Sequence, residues 1–303
     1  MTAVVERTSP SLSSWRCSIG GCCGGRDWLA SDEDPRAIAC PKMSSGTRLF
    51  GTDSEKIVDL ASWFAHAPPE KGDAQWRDGY SAKEQAKSWL RTGAPAVPSE
   101  LWEALSRLGL GEIDEVFGRP EHTTGLDDYG RGRQHDLFGC ARHEGATRFV
   151  FGVEAKACEG FDGTVADRAS DRPPSKKRAR CNLLASALFG RPVLDEDTGR
   201  VLDEDLGGHG YQLWTAAVGT IIEAQRRSVE DAVLIVQQFL PRSLEEARGH
   251  DRRDWESALS SNAALVEAFV GAIHEVGATA HQTAFVAPGT RLHVLKVESG
   301  LVG

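Results

Sequence analysis

Apolar residues along this chain change their spacing several times, and each change marks an element. In "TDSEKIVDLASWFAHA" (52–67), Ile57, Leu60, Ala61 and Phe64 share one face of a helical repeat, with Asp53 or Ser54 as cap. "YSAKEQAKSWLRTG" (80–93) reads as a second helix, in which Ser81 and Glu84 form an S-x-x-E capping box and Gly93 is the stop. A third, "PSELWEALSRLGLG" (98–111), opens on Pro98–Ser99 and closes at Gly109 or Gly111. The spacing then shortens to that of strands, at about 134–141 and 147–156. The turn "RHEGAT" between them is so short that they must form an antiparallel hairpin.

The second half alternates longer elements. "PPSKKRARCNLLASALFG" (173–190) and the amphipathic "YQLWTAAVGTIIEAQRR" (211–227) read as helices, and "DAVLIVQQFL" (231–240) as a strand buried on both faces. Helix then strand recurs in "NAALVEAFVGAIHEVG" (262–277) and "TRLHVLKVESG" (290–300). Between them lies a short tandem copy, VLDEDTGR then VLDEDLGG, whose acidity and glycines predict an exposed loop or hairpin rather than core. Interleaved helices and strands predict an α/β fold with a mixed central sheet flanked by helices. Neither a TIM barrel nor a Rossmann fold is indicated, and no glycine-rich phosphate loop follows a predicted strand.

Composition narrows the class. The 303 residues are 40% hydrophobic and 26% charged, as in a soluble globular chain, with a formal net charge of −9 that argues against a general nucleic-acid coat but allows a local basic cleft. No apolar run reaches the ~20 residues of a membrane span, and no secretory h-region follows Met1. Residues 1–45, rich in Ser, Gly, Cys and Arg, read as a disordered extension before a single domain over 46–303, with Met43 a second candidate start. Seven scattered cysteines read as reduced cytoplasmic thiols; Cys17, Cys22, Cys23 and Cys40 lack the C-x-x-C spacing of a zinc site.

Three charges stand at the ends of the two apolar strands. Glu154 and Lys156 alternate onto one face, ~7 Å apart, and Asp136 on the antiparallel neighbour can bring its carboxylate to the same place. Two carboxylates and a main-chain carbonyl suit Mg²⁺ (or Mn²⁺), which keeps waters and a substrate phosphate in its shell. Lys156 would then position a water or neutralise a transferring phosphoryl group. Glu121, in "PEH" (120–122) ahead of the Asp136 strand, has no evident structural role and is an additional candidate ligand. His122 and His135 read as surface histidines.

An Asp followed by Glu-x-Lys at adjacent strand ends resembles the PD-(D/E)xK nuclease superfamily, although no literal Pro-Asp pair precedes Asp136. From about Trp76 to Pro241 the chain more closely resembles a bacterial family of that fold, through "GYSAKEQAKSW", "PEH", "QHDLFGCAR", "VEAKACEGFDGTV", "YQLWTAA", "IIEAQR" and "AVLIVQQFLP". The resemblance implies a restriction-endonuclease-like core, α-β-β-β-α-β. It maps Asp136 and Glu154 to the metal ligands, Lys156 to the lysine, and Gln212 to a polar residue facing the site from the following helix. Members also recruit a carboxylate from the first helix, which would here be Glu84, though its capping-box spacing already accounts for it. "RPPSKKRAR" (172–180) supplies Arg172, Lys176, Lys177, Arg178 and Arg180 as nucleic-acid contacts, or as a solvated helix face. The expectation is metal-dependent phosphodiester hydrolysis on nucleic acid, DNA foremost. A catalytically inactive binding module of the same fold and a small-molecule phosphodiesterase are the alternatives.

Overall fold

The computed structural model describes residues 46–128, 130, 132–169, 176–241 and 252–301. The N-terminal extension with its four cysteines, and Arg172, lie outside the described residues. The elements are β1 (Gly46–Phe50), β2 (Lys56–Ile57), α1 (Leu60–His66), α2 (Ser81–Trp89), α3 (Ser99–Arg107), β3 (Glu115–Thr124), β4 (Arg133–His143) and β5 (Ala146–Lys156). They are followed by α4 (Val165–Ala169), α5 (Lys176–Phe189), α6 (Glu204–Gly207), α7 (Tyr211–Arg226), β6 (Asp231–Leu240), α8 (Arg252–Glu275) and β7 (Arg291–Gly300). Seven strands form one sheet in the order β2-β1-β3-β4-β5-β6-β7. β3, β4 and β5 are an antiparallel meander, while β5, β6 and β7 run parallel. The fold is α/β with a mixed sheet.

The sheet separates two cores. On one side Trp63, Trp89, Leu101 and Leu105 of α1–α3 pack on Leu137, Phe149, Phe151 and Val153. On the other, Leu184 and Leu188 of α5, Trp214 and Ile221 of α7, and Phe269 of α8 pack with Phe138, Val150 and Leu234. β6 lies between both, so nine of its ten residues are buried, as its unbroken apolar run requires.

Three local differences from the sequence pattern have physical causes. The first helix begins only at Leu60, where Asp59 accepts the Ser62 N–H at 2.7 Å; Ile57 is instead buried in β2, paired with Leu49. β3 was not expected, because Pro120 interrupts its alternation. β1 pairs with β3 only from Glu115 to Gly118, so at Pro120 that side of the strand is an edge that asks for no N–H. The acidic tandem segment is not wholly exposed either: Val193, Leu194 and Leu206 are buried in the α7-side core, and Leu194 bridges to Val201.

Close approach of α7 to the sheet depends on Gly152 in β5. A Cβ there would press on the Thr220 hydroxyl and stand 2.9 Å from His135 Nδ1. Gly152→Ala is therefore expected to destabilise the fold by about 1–3 kcal/mol, through overpacking between β5 and α7. A urea-unfolding midpoint equal to that of the wild type would show that the contact yields freely.

Candidate active site

The pairs Pro120–Leu137 and Leu137–Val153 set the register of the meander. One residue further out, Glu121, Asp136 and Glu154 fall in one row across β3, β4 and β5. The strands are irregular there. Pairing of β4 with β5 ends at Leu137–Val153, and Glu121 takes φ 53°. His135 lies against α7, where a Cβ on Gly219 would be 2.9 Å from its Nε2, yet Leu137 joins the opposite core. Residues two apart in a regular strand share a face, so the alternation breaks at Asp136. Its carboxylate turns into the fork between the strands, and Oδ2 accepts the Ala155 N–H at 2.6 Å.

Glu154 is 1% exposed and is bound by two cations. Lys156 Nζ donates to Oε1 at 2.6 Å, and the Arg133 guanidinium pairs with Oε2. Lys156 also lies 5.1 Å from the centroid of the Phe161 ring. Burial pulls the Lys156 ammonium below its ordinary value; the Asp136 charge opposes that and Arg133 adds to it. Burial likewise lowers Arg133, against the attraction of Asp136 and Glu121. Glu121 is pushed up to about 9 by burial and then by the neighbouring Asp136 charge, although Gln134 Nε2 donates to its Oε2 at 2.6 Å. Among the described residues no three His, Cys, Asp or Glu side chains form a ready-made metal cage. The site is a pair of neighbouring acids, Glu121 and Asp136, beside an ion triad, Arg133–Glu154–Lys156.

The loop after β5 is tied down from three sides. Gln212 Oε1, in the first turn of α7, accepts the Asp162 N–H at 3.1 Å, so its carbonyl positions this loop. Asn262 of α8 donates to the Glu159 carbonyl at 3.0 Å and accepts the Phe161 N–H at 3.2 Å. Glu159 accepts from the Ala157 N–H, the Ser81 N–H and the Ser81 hydroxyl. Ser81 is thus spent on Glu159, and the expected capping box with Glu84 does not form. Glu84 accepts instead from the Gly79 N–H at 2.9 Å and Lys87 Nζ at 3.0 Å, buried at 1% exposure.

The basic helix start divides. Lys176 and Lys177 are exposed. Arg178 is buried and donates to the carbonyls of Glu196 and Asp197, and Arg180 makes a two-pronged pair with Asp127, both bonds 2.6 Å. Those two arginines hold the fold together. His135 is fully buried, contrary to expectation, with its imidazole driven well below its ordinary value by burial and then by Arg133 and His122. His122 is partly buried, 3.3 Å from Glu223.

Two residues of this region escaped the sequence reading. Arg133 lies three positions before Asp136, a spacing that opposes them in a regular strand, and only the break in alternation brings both to the site. Gln238, paired in register with Lys156, is 5% exposed, and its Nε2 finds no partner among the described residues. Its signal was visible as two glutamines, Gln237 and Gln238, interrupting an otherwise apolar run.

Glu121 makes a sign-specific prediction. Between the ordinary carboxylate range and about 9 the folded chain holds a proton on Glu121 that the unfolded chain has released. Its contribution to stability is therefore full at acid pH and is lost as pH rises towards 9. His135, shifted the other way, titrates below neutrality. From about pH 7 to pH 9 the melting temperature of Glu121→Gln is expected to fall less than that of the wild type. Parallel curves would place the Glu121 carboxyl in ordinary solvent.

No helix among the described residues is long and apolar enough to cross a membrane. No curated protein and no solved structure gives a match to this chain. One family model does, that of a domain of unknown function, DUF6946, and it spans residues 56–300, covering every strand of the sheet but β1. The chain therefore belongs to the DUF6946 family.

Proposed function

We propose that this protein is a metal-dependent phosphodiesterase acting on nucleic acid, of the PD-(D/E)xK type, with Asp136, Glu154 and Lys156 at its centre. The observation that carries the reading is the convergence of buried Glu154 and Lys156 with half-buried Asp136 and Glu121 at one fork of the sheet. The reading is supported by the element order α3-β3-β4-β5, followed after α4, α5 and α6 by α7 and β6.

The donors suit a hard divalent cation. Asp136, Glu121 and Glu154 offer only oxygen. Glu121 is raised by burial and then by the neighbouring Asp136 charge, and a dication held between the two would offset both. When bound, Mg²⁺ or Mn²⁺ would supply Lewis acidity towards a phosphoryl oxygen and a more acidic water. This chain's own contribution is then electrostatic. Lys156 directs an ammonium at the reacting group, where it orients a water or meets charge developing on phosphorus. Gln212, through the Asp162 N–H, and Asn262 hold the loop that carries Phe161 beside that ammonium. Exposed Lys176 and Lys177 at the start of α5 offer phosphate contacts by charge alone.

A second reading is favoured by one observation. Both oxygens of Glu154 are already bound to cations, the arrangement expected of an inactive binding module that keeps the fold. Cleavage of plasmid, linear and single-stranded substrates with Mg²⁺ or Mn²⁺ separates the two. In the catalytic reading Lys156→Ala lowers cleavage by ~100-fold or more while leaving metal binding largely intact, because an ammonium has no lone pair to offer an ion. Asp136→Ala abolishes both. Wild-type protein that cuts none of these substrates with either metal removes the catalytic reading and leaves the binding module.

A further inference from the structure

We propose that Arg133 is an internal counter-cation paired with Glu154 that must leave it when a divalent ion binds. The inference rests on the metal-dependent reading above and concerns what sets that site's affinity. A carboxylate as buried as Glu154 cannot stand unpaired, since an interior charge stripped of water needs a counter-charge. Lys156 alone balances one negative charge. Arg133 is a second cation on the same carboxylate.

Its attachment differs from that of the structural arginines. Arg180 grips Asp127 with two nitrogens and Arg178 holds two carbonyls. Arg133 reaches Glu154 through one terminal nitrogen, and its buried Nε has no hydrogen-bond partner among the described residues. It is the first residue of β4, paired with Thr124 of β3 but beyond the last β4–β5 pair at Leu137–Val153, so its backbone is held from one side only. Charge gives the reason for exchange. With Arg133 in place, an incoming dication meets a Glu154 already neutralised. With Arg133 withdrawn and the Glu121 proton released to solvent as the ion enters, the carboxylates of Glu121, Asp136 and Glu154 balance one dication and Lys156. Arg133 is thus a positioning residue that sets metal affinity by competing for a ligand.

The test is calorimetric titration of Mn²⁺ into wild type and Arg133→Gln, together with arginine-selective dicarbonyl modification of the wild type, read at Arg133 by mass spectrometry. The expected result is at least ~tenfold tighter Mn²⁺ binding by Arg133→Gln, one competing charge having been removed. In the wild type, Arg133 is expected to be protected without Mn²⁺ and modified several-fold faster with it. The modification experiment decides the matter by itself if Arg133→Gln fails to fold. Wild-type protein that binds Mn²⁺ with Arg133 equally protected, and a variant that binds it no more tightly, would overturn the proposal and leave the metal-dependent reading standing. Absence of Mn²⁺ binding in both proteins would instead bring down that reading, and the exchange with it.

Discussion

The constraint from which the rest of the site follows is the burial of Glu154. β5 is covered on both faces in the middle of the sheet, yet it ends in an acid and a base rather than in apolar side chains. A carboxylate there needs cations within contact distance, and the chain supplies Lys156 from the same strand and Arg133 from the neighbouring one. Asp136 can sit alongside only because β4 leaves its register with β5 and offers its carboxylate to the Ala155 N–H.

The opposite end of α7 shows the same problem solved differently. Glu223 is also buried, and burial pushes its carboxyl up, but bonds from His122 and Arg227 hold it well below the usual carboxylate range. Thr124 donates to it at 2.9 Å and Arg226 at 2.7 Å. Thr124, Arg226 and Arg227 all donate hydrogen bonds to that acid, with His122 beside it at 3.3 Å, and the cluster fastens α7 to β3. Near Glu154, in contrast, Arg133 and Gln238 both keep buried nitrogens unpaired, and Glu121 is held protonated by its surroundings. Incomplete satisfaction is costly in a structural cluster and is common where a group will meet a ligand. The two ends of one helix thus divide between holding the fold and building the site.

Positions that looked alike as letters separate by what they touch. Of the basic run at the start of α5, Arg178 and Arg180 are consumed internally while Lys176 and Lys177 face outwards. Ser81 and Glu84 have the spacing of a cap, yet the Ser81 hydroxyl goes to Glu159, 78 residues further along. Gln212 lies at the helix start, as its position in the sequence suggests, and its carbonyl holds the Asp162 backbone. In each case the partner that fixes the side chain is distant in sequence.

Local periodicity by itself determined much of the architecture. The β4–β5 hairpin, the α7 helix, the buried run of β6 and the closing helix and strand follow from spacings of 2 and 3.6, which any chain must obey to bury apolar side chains. The charged row was legible too, because Asp136, Glu154 and Lys156 stand where apolar residues would be expected. What only the tertiary structure decided is which charges meet. β3 was hidden by Pro120 and appears only because β1 leaves that part of it as an edge. Arg133 lies on the face opposite Asp136 by simple alternation and reaches the site only through the break at Asp136. That break is stabilised by a strand register and by α7, whose Gly219 lies against His135 and whose Thr220 lies against Gly152, both set by contacts far apart in the chain.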